Sequence, residues 1–312
     1  MQTTDTVLMV RPAAFYANPQ TLQSNTFQKY SKNSGNVTEQ AQLAFDQYHS
    51  ALLSAGVDVI VIQDEKINET PDSIFPNNWL STAHDATIFT YPMEALNRRR
   101  ERRLEVLNQL RQKFVVNKYI DLSPYENQEL YFEGTGVLII EHEHHQAFIC
   151  RSTRSAEKVG KEYAKLSGDQ LFWFDAVDRY GKAIYHTNVM MSIGHRFAVV
   201  CLESIHDQQE KLALIQRLQQ CGKNIIDVSY AQMENFTCNI LELKNKHNQP
   251  VYAMSTRAWD AFTLEQQQQL SNYAEIVQAP IDIIEDLGGG GARCMLAEIF
   301  LPHLDQPSSA SV

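Results

Sequence analysis

The chain lacks the features that usually identify membrane, nucleic-acid-binding and disulfide-rich proteins. No apolar run approaches the roughly 20 residues that cross a bilayer, and residues 1–5 do not form the basic start of a signal segment. The 27 Lys and Arg are outnumbered by 37 Asp and Glu, so the net charge of -10 disfavours a polyanionic partner. The five cysteines include no Cys-x-x-Cys pair. We therefore expect a soluble cytoplasmic protein with no nucleic-acid or membrane partner and no disulfide framework.

The content that is present indicates a large hydrophobic core. With 312 residues, of which 44% are hydrophobic, the chain can fold without disulfides or metals. We predict a single domain over residues 1–305 and a disordered tail over residues 306–312. The polar stretch 141–145 has metal-ligand residue types, but its place between two predicted strands favours a solvated hairpin tip. We thus expect no metal, no cofactor and a small polar metabolite as partner; the oligomeric state, including a homodimer, stays open.

A β-β-α-β unit of roughly 50 residues recurs along the chain. The first copy predicts strands at 75–79, 86–91 and 116–122 around a helix at 97–113, and similar copies begin near residues 132, 185 and 235. In the fourth copy the last strand is predicted at 281–284. Residues 294–301 should pair with the N-terminal strand 7–10, which leads into a helix at 37–54. Because one unit cannot bury its apolar face alone, the units should repeat radially or linearly, and five units closed in a ring are the economical arrangement.

Chemically active side chains occupy the predicted start of the first strand in each unit, so a ring would bring them together at its centre. They are Asn77, Asn78, Glu133, His186, either Asn235 or Cys238, and Cys294. Four glycines, 288–291, precede Cys294 and allow close backbone approach. Such a place suits a nucleophile beside backbone N–H groups, although a small buried thiol is the alternative. The long polar segment 13–36 is either a lid over this centre or a surface loop.

The order of these motifs resembles the guanidino-group-modifying superfamily, the penteins, over residues 7–301. Glu133-Gly134 matches its acidic-Gly motif, His186-x-Asn188 its His-x-Asp motif, and Cys294 its terminal cysteine. The most similar branch is that of the amidinotransferase-related citrulline hydrolases. The resemblance implies an α/β, fivefold pseudosymmetric ββαβ propeller that forms one catalytic domain. It also implies Cys294 as nucleophile, His186 as proton shuttle and Glu133 as the group that orients His186.

Further roles follow from the resemblance. Asp72 would hold the α-amino group of an amino-acid substrate, and Arg154 its α-carboxylate. Cys294 is expected to ionise readily beside an imidazolium. By contrast, the charge run 98–103 opens a predicted amphipathic helix and is interpreted as a solvated face.

Departures from the family pattern concern the charge of the reacting group. Asn78 and Asn188 occupy the positions at which deiminases bind a guanidinium through carboxylates, and Asn77 lies beside Asn78. Gly136 replaces a further acidic residue of the family motif. Amides both donate to and accept from a neutral ureido group, whereas a buried cation requires counter-charge. The sequence thus predicts a hydrolase of citrulline or a close N-carbamoyl amine. The alternatives are an arginine or dimethylarginine deiminase-type hydrolase and a non-enzymatic binding protein.

Overall fold

The computed structural model describes residues 1–22, 25, 27, 28 and 36–304. These residues form five three-stranded sheets, which confirms the predicted α/β fold of five β-β-α-β units. The predicted tail 306–312 and part of the segment 13–36 lie outside the described residues. Among the described residues, no helix combines the length and the apolar character needed to cross a bilayer.

Each sheet has a short inner strand, a middle strand and an outer strand. In chain order the strands are β1 Thr6–Arg11, β2 Asp58–Gln63, β3 Leu80–Ala83, β4 Thr87–Thr90, β5 Lys118–Asp121, β6 Ile139–Glu141, β7 Gln146–Cys150, β8 Gln170–Phe174, β9 Met191–Ile193, β10 Phe197–Val200, β11 Asn224–Asp227, β12 Leu241–Lys244, β13 Pro250–Ser255, β14 Glu275–Ala279 and β15 Ala297–Glu298.

The helices are of two kinds: long helices on the outside of the sheets and short helices of one or two turns. They are α1 Val37–Ser54, α2 Leu104–Lys113, α3 Gly134–Val137, α4 Glu157–Ser167, α5 Thr187–Met190, α6 Gln208–Gln220, α7 Tyr230–Met233, α8 Thr256–Ala261, α9 Leu264–Ser271 and α10 Asp282–Gly288. Short 3₁₀ segments lie at Lys66–Asn68, Pro76–Asn78, Arg98–Glu101, Ser123–Gln128, Leu202–Ser204 and Ala292–Met295.

The same pairing recurs in every sheet. The inner strand is antiparallel to the middle strand, as where Leu80 pairs with Thr90 in β3 and β4. The middle strand is parallel to the outer strand, and the chain between them contains the long helix, as α2 does between β4 and β5. A parallel pair requires such a crossover because a tight turn cannot connect its strands.

The fifth sheet contains both ends of the described chain. Its middle strand β1 pairs with β15 in antiparallel and with β2 in parallel orientation, as predicted for the last and first segments. The turn Ala292–Met295 contacts the turn Pro76–Asn78 of the first unit and β13 of the fourth. These contacts place the fifth unit between the fourth and the first, so the units follow one another in a ring.

The middle strands are buried on both faces. In β7, residues 147–150 are all fully buried, and the same holds for residues 251–254 of β13 to within a few per cent. Such continuous apolar runs are typical of strands covered on both sides. The long helices therefore cover one side of each sheet while the neighbouring units cover the other, and the polar residues of the inner turns remain for the centre.

The sequence prediction was wrong at the start of the inner strands and near residue 281. The segments predicted to open strands instead form the turns Pro76–Asn78, α3, α5 and Ala292–Met295. Residues 281–284, predicted as a strand, lie at the start of α10, and the outer strand of that unit is β14. A single helical turn is too short to show a 3.6-residue period.

Candidate active site

A small cavity lies at the centre of the ring. It is enclosed by the inner turns, which are the helical turns that precede the inner strands, and by the glycine loop, residues 288–291. Its lining consists of Thr21, Asn25, Asp72, Phe75, Asn78, Arg98, Arg154, Tyr185, His186, Gly288, Gly289, Gly290 and Cys294. Five of these residues were predicted as catalytic or substrate-binding residues, namely Asp72, Asn78, Arg154, His186 and Cys294. The ring therefore brings together residues that are more than 200 positions apart in the chain.

Cys294 is 4% exposed and lies among amide side chains. Its Sγ accepts hydrogen bonds from Nδ2 of Asn188 at 3.3 Å and from Nδ2 of Asn239 at 3.2 Å. Burial raises the pKa of the Cys294 thiol, and the hydrogen bond from Asn239 opposes that rise. The residue at the centre of the site is thus a protonated thiol held by two donors.

His186 and Glu133 form a buried pair. His186 Nε2 lies 2.7 Å from Oε2 of Glu133, which also accepts from Arg154 at 3.2 Å. Burial raises the pKa of Glu133, but the Arg154 guanidinium and His186 outweigh it and hold that pKa below its usual range. With Nε2 turned toward the carboxylate, Nδ1 is the ring nitrogen left to exchange protons with a reactant.

The imidazolium expected beside Cys294 stays a prediction, and burial of the His186 ring opposes its protonation. Burial lowers the pKa of His186 to about 4, although Glu133 acts in the opposite direction. A neutral imidazole is a proton acceptor, so His186 can take the thiol proton as a general base. The thiolate would then form during the reaction and not before it.

Asn78 is fixed by the residues around it. Its Oδ1 accepts from Arg98 Nη1 at 2.9 Å, and its Nδ2 donates to Oδ1 of Asn77 at 3.1 Å. A Cβ at Gly136 would lie 2.6 Å from Asn78 Nδ2 and 2.9 Å from His186 Nδ1. Only glycine therefore leaves room for both groups at this point. Asn77 does not line the cavity and instead supports Asn78.

Arg98 corrects the interpretation of the charge run 98–103 as a solvated face. Its side chain is 3% exposed and makes two hydrogen bonds to Glu101, at 2.9 and 3.0 Å. Arg98 Nε also lies 3.7 Å from Asp72 Oδ2. Arg100, in contrast, is exposed and pairs with Glu69. This is the solvated arrangement that was predicted for the whole run. The first arginine of the run is therefore part of the cavity wall.

Asp72 lies at the part of the cavity reached by the segment 13–36. Its Oδ2 accepts from Asn18 Nδ2 at 2.7 Å, and its buried Oδ1 has no hydrogen-bond partner among the described residues. Asn25, farther along the segment, donates to the carbonyl of Gly288 at 3.2 Å. Thr21 and Asn25 of this segment thus line the cavity, and the role of the segment as a lid remains a prediction.

Arg154 is buried beside two carboxylates. It donates from Nε to Glu94 Oε2 at 3.0 Å and from Nη1 to Glu133 Oε2, and its guanidinium lies 4.9 Å from the centre of the Tyr185 ring. Tyr185 in turn donates to the carbonyl of Gly289 at 2.6 Å. Arg154 therefore connects the His186 pair with the glycine loop.

Asn239 is the site residue of the fourth unit, in place of the predicted Asn235 or Cys238. Asn235 is exposed and donates to the carbonyl of Ala231, and Cys238 is fully buried in the core. Asn239 lies two positions before β12. Asn78 likewise lies two positions before β3, and Asn188 lies three positions before β9. That common position was the signal that could have identified Asn239.

The stretch 141–145 forms the tip of the β6–β7 hairpin, as predicted, but it is not entirely solvated. Glu141 is fully buried and forms an ion pair with Lys223 at 2.8 Å. Ligand atoms of Glu141, His144 and Cys221 lie within 4.8 Å of one another. Because Lys223 already neutralises the carboxylate, the cluster does not depend on a cation for charge balance.

A family model identifies the chain's relatives. The model of the family described as N,N dimethylarginine dimethylhydrolase, eukaryotic, matches residues 11–301, nearly the whole chain. The chain belongs to this family. Membership in the dimethylarginine dimethylhydrolase family confirms the predicted resemblance to the guanidino-group-modifying superfamily. A search of curated proteins gives no match.

Solved structures confirm the family's fold for this chain. ArgZ, an arginine dihydrolase from the ornithine-ammonia cycle in cyanobacteria, is 16% identical with a TM-score of 0.72, covering 96% of this chain and 41% of its own. AgrE in complex with ornithine and NAD⁺ has the same identity and TM-score, and the similarity covers 96% of this chain and 40% of AgrE. An adduct of a dimethylarginine dimethylaminohydrolase with S-methyl-L-thiocitrulline is 12% identical with a TM-score of 0.65. The similarity covers 95% of this chain and 100% of that one. The chain thus spans about two fifths of the length of ArgZ and AgrE.

Proposed function

We propose that the protein is a cysteine-dependent hydrolase of the ureido group of citrulline, or of a close N-carbamoyl amine. The products would be ornithine, ammonia and carbon dioxide. The observation that carries this proposal is the set of amides at the reacting sulfur: Asn188 and Asn239 both donate to Sγ of Cys294. An ionised carboxylate at either place could not donate such a hydrogen bond.

The charges around the cavity support a neutral reacting group. Its carboxylates lie beside cations: Glu133 beside Arg154, and Asp72 at 3.7 Å from Arg98. A guanidinium brought to Cys294 would therefore meet amides first, and desolvating a cation without counter-charge costs several kcal/mol, on the order of 3–5 when a partner is missing. A ureido group carries no charge and pays no such penalty.

The two ends of the substrate match two unsatisfied acceptors. Among the described residues, the buried Oδ1 of Asn188 and the buried Oδ1 of Asp72 have no hydrogen-bond partner. The first lies on the amide that contacts Cys294 and would accept from the ureido NH₂. The second would accept from the α-ammonium group. Arg98 and Arg154, which line the same cavity, would bind the α-carboxylate.

The chemistry follows from the protonation states. His186 Nδ1 takes the thiol proton, and the Cys294 sulfur attacks the ureido carbon. The proton then passes to the leaving nitrogen, the C–N bond breaks and a carbonyl remains bound to sulfur. Water, deprotonated by His186, cleaves that S-carbamoyl adduct and restores the Cys294 thiol. The carbamate that is released decomposes to carbon dioxide and the second nitrogen product, either ammonia or ornithine. Ammonia or ornithine can leave first, and the sum is the same.

A second candidate is a guanidine hydrolase acting on arginine or dimethylarginine. The family match favours it, since the family is described by dimethylarginine. In that case the cation would have to be balanced by Glu133 or Asp72, at the expense of their present partners. A binding protein without activity would not require the Glu133–His186 pair to lie beside a cysteine.

The test measures the release of ammonia, dimethylamine, citrulline and ornithine when citrulline, arginine and dimethylarginine are supplied in parallel. We expect turnover of citrulline by the wild type and none by Cys294→Ala. Turnover of arginine or dimethylarginine with citrulline inert would establish the second candidate. Binding of citrulline without release of either product would indicate a binding protein.

A further inference from the structure

Asn239 contacts the nucleophile loop at several atoms. Its Nδ2 lies 3.2 Å from Cys294 Sγ and 2.9 Å from the carbonyl of Asn188. Its Oδ1 accepts from the backbone N–H of Cys294 at 3.3 Å, and its own carbonyl accepts from Arg293 N at 3.2 Å. The residue is 1% exposed, so these contacts are made in the absence of competing water.

We infer that Asn239 is a catalytic residue that holds the Cys294 sulfur in place and stabilises its thiolate through the hydrogen bond from Nδ2. This inference rests on the proposed role of Cys294 as nucleophile and not on the identity of the substrate. When His186 removes the thiol proton, a buried negative charge appears on sulfur. A donor that is already aligned with that atom stabilises the charge without reorganisation.

An amide is the side chain that can make both contacts. Oδ1 fixes the backbone of Cys294 while Nδ2 donates to its sulfur, and a carboxylate could do only the first. The loop is built closely around it, because a Cβ at Gly291 would lie 2.8 Å from Asn239 Oδ1. The last of the four glycines therefore serves the approach of Asn239 to the nucleophile.

The experiment measures the rate at which iodoacetamide alkylates the Cys294 peptide as a function of pH, in the full-length protein. Asn239→Asp keeps the acceptor for Cys294 N but removes the donor and adds a negative charge. Asn239→Ala removes both contacts. We expect the alkylation midpoint to rise in both variants, by at least about one pH unit in Asn239→Asp, which corresponds to about a tenfold slower reaction below the midpoint. Asn235→Asp, the same charge change on an exposed side chain outside the cavity, should leave the profile unchanged.

Asn239→Ala separates stabilisation of the thiolate from positioning of the loop, because the carboxylate of Asn239→Asp raises the midpoint by its charge alone. If Asn239 does not stabilise the thiolate, the midpoint in folded Asn239→Ala should equal that of the wild type, and that result would overturn the inference. A shifted profile with citrulline inert would leave the inference standing while the proposed function fails. An unshifted profile together with turnover of citrulline would overturn the inference and leave the proposed function standing.

Discussion

At the scale of the residue, the exchange of amides for carboxylates can be tested one position at a time. Asn188→Asp would place a charge beside Cys294 Sγ, whereas an aspartate at 78 would pair with Arg98, which already contacts Asn78. Charge-assisted hydrogen bonds contribute about 1.5–3 kcal/mol each. We therefore expect the ratio of citrulline to arginine kcat/KM to fall at least about tenfold in the double variant, mostly through Asn188→Asp. An unchanged ratio would mean that neither amide contacts the reacting group.

A second prediction concerns the catalytic unit. Cys294→Ala and His186→Ala should each lower kcat by at least about a thousandfold, and the double variant should be no worse than either alone, because both groups act in one sequence of proton transfers. Thermal unfolding curves of all three variants should show a folded protein. Losses that multiply in the double variant would show two independent contributions.

Residue types at the start of each predicted unit identified Cys294, His186 and Glu133 as candidates, and the family resemblance supplied their roles. Arg98 could not be predicted, since nothing in a run of five arginines and one glutamate tells which side chain turns inward. Its burial depends on Glu101 and Asp72, which the fold places around it. The protonation state of His186 also depends on its surroundings, namely on how completely the ring excludes water.

At the scale of the element, the inner turns decide where the site residues lie. Their sequences, such as Gly-Thr-Gly-Val in α3, have neither helical length nor helical propensity, so tertiary packing must impose the turn. The long helices are different: α1 was predicted with the observed bounds because its apolar residues recur with the helical period over several turns.

Gly136 offers a test at this scale. Gly136→Ala suits the helical backbone of α3, but its Cβ would meet Asn78 and His186 at less than 3 Å. We therefore expect kcat to fall at least about tenfold, with a loss of stability of about 1–3 kcal/mol from overpacking. Gly168→Ala is the matched control. Gly168 has φ +82°, and no atom lies within 4 Å of the place that a Cβ would occupy, so its replacement should cost on the order of 1 kcal/mol of stability and leave kcat unchanged. Equal activity of the two variants would contradict the assigned role of Gly136.

At the scale of the whole molecule, the repeat predicted the ring, because β-β-α-β units of equal length must stack and the two chain ends supplied the missing strands. The order of strands within a sheet could not be read from the repeat, since pairing depends on which edges meet in three dimensions. That residues 1–305 behave as one domain remains a prediction.

The pairing of β15 with β1 joins the two ends of the described chain, and we call it the seam. Weakening the seam tests that prediction. Ile299 N donates to the carbonyl of Thr6 at 2.9 Å, and Thr4 Oγ1 donates to the carbonyl of Ile299 at 2.6 Å. Ile299→Pro removes the first of these bonds and should destabilise the seam by about 3 kcal/mol, whereas Ile299→Val keeps the N–H and serves as the control. If the ring is one cooperative unit, hydrogen exchange in α6 of the third unit should accelerate as much as in β1. Units that behaved as a linear array would respond only next to the seam, and unchanged protection in α6 would then refute a single domain.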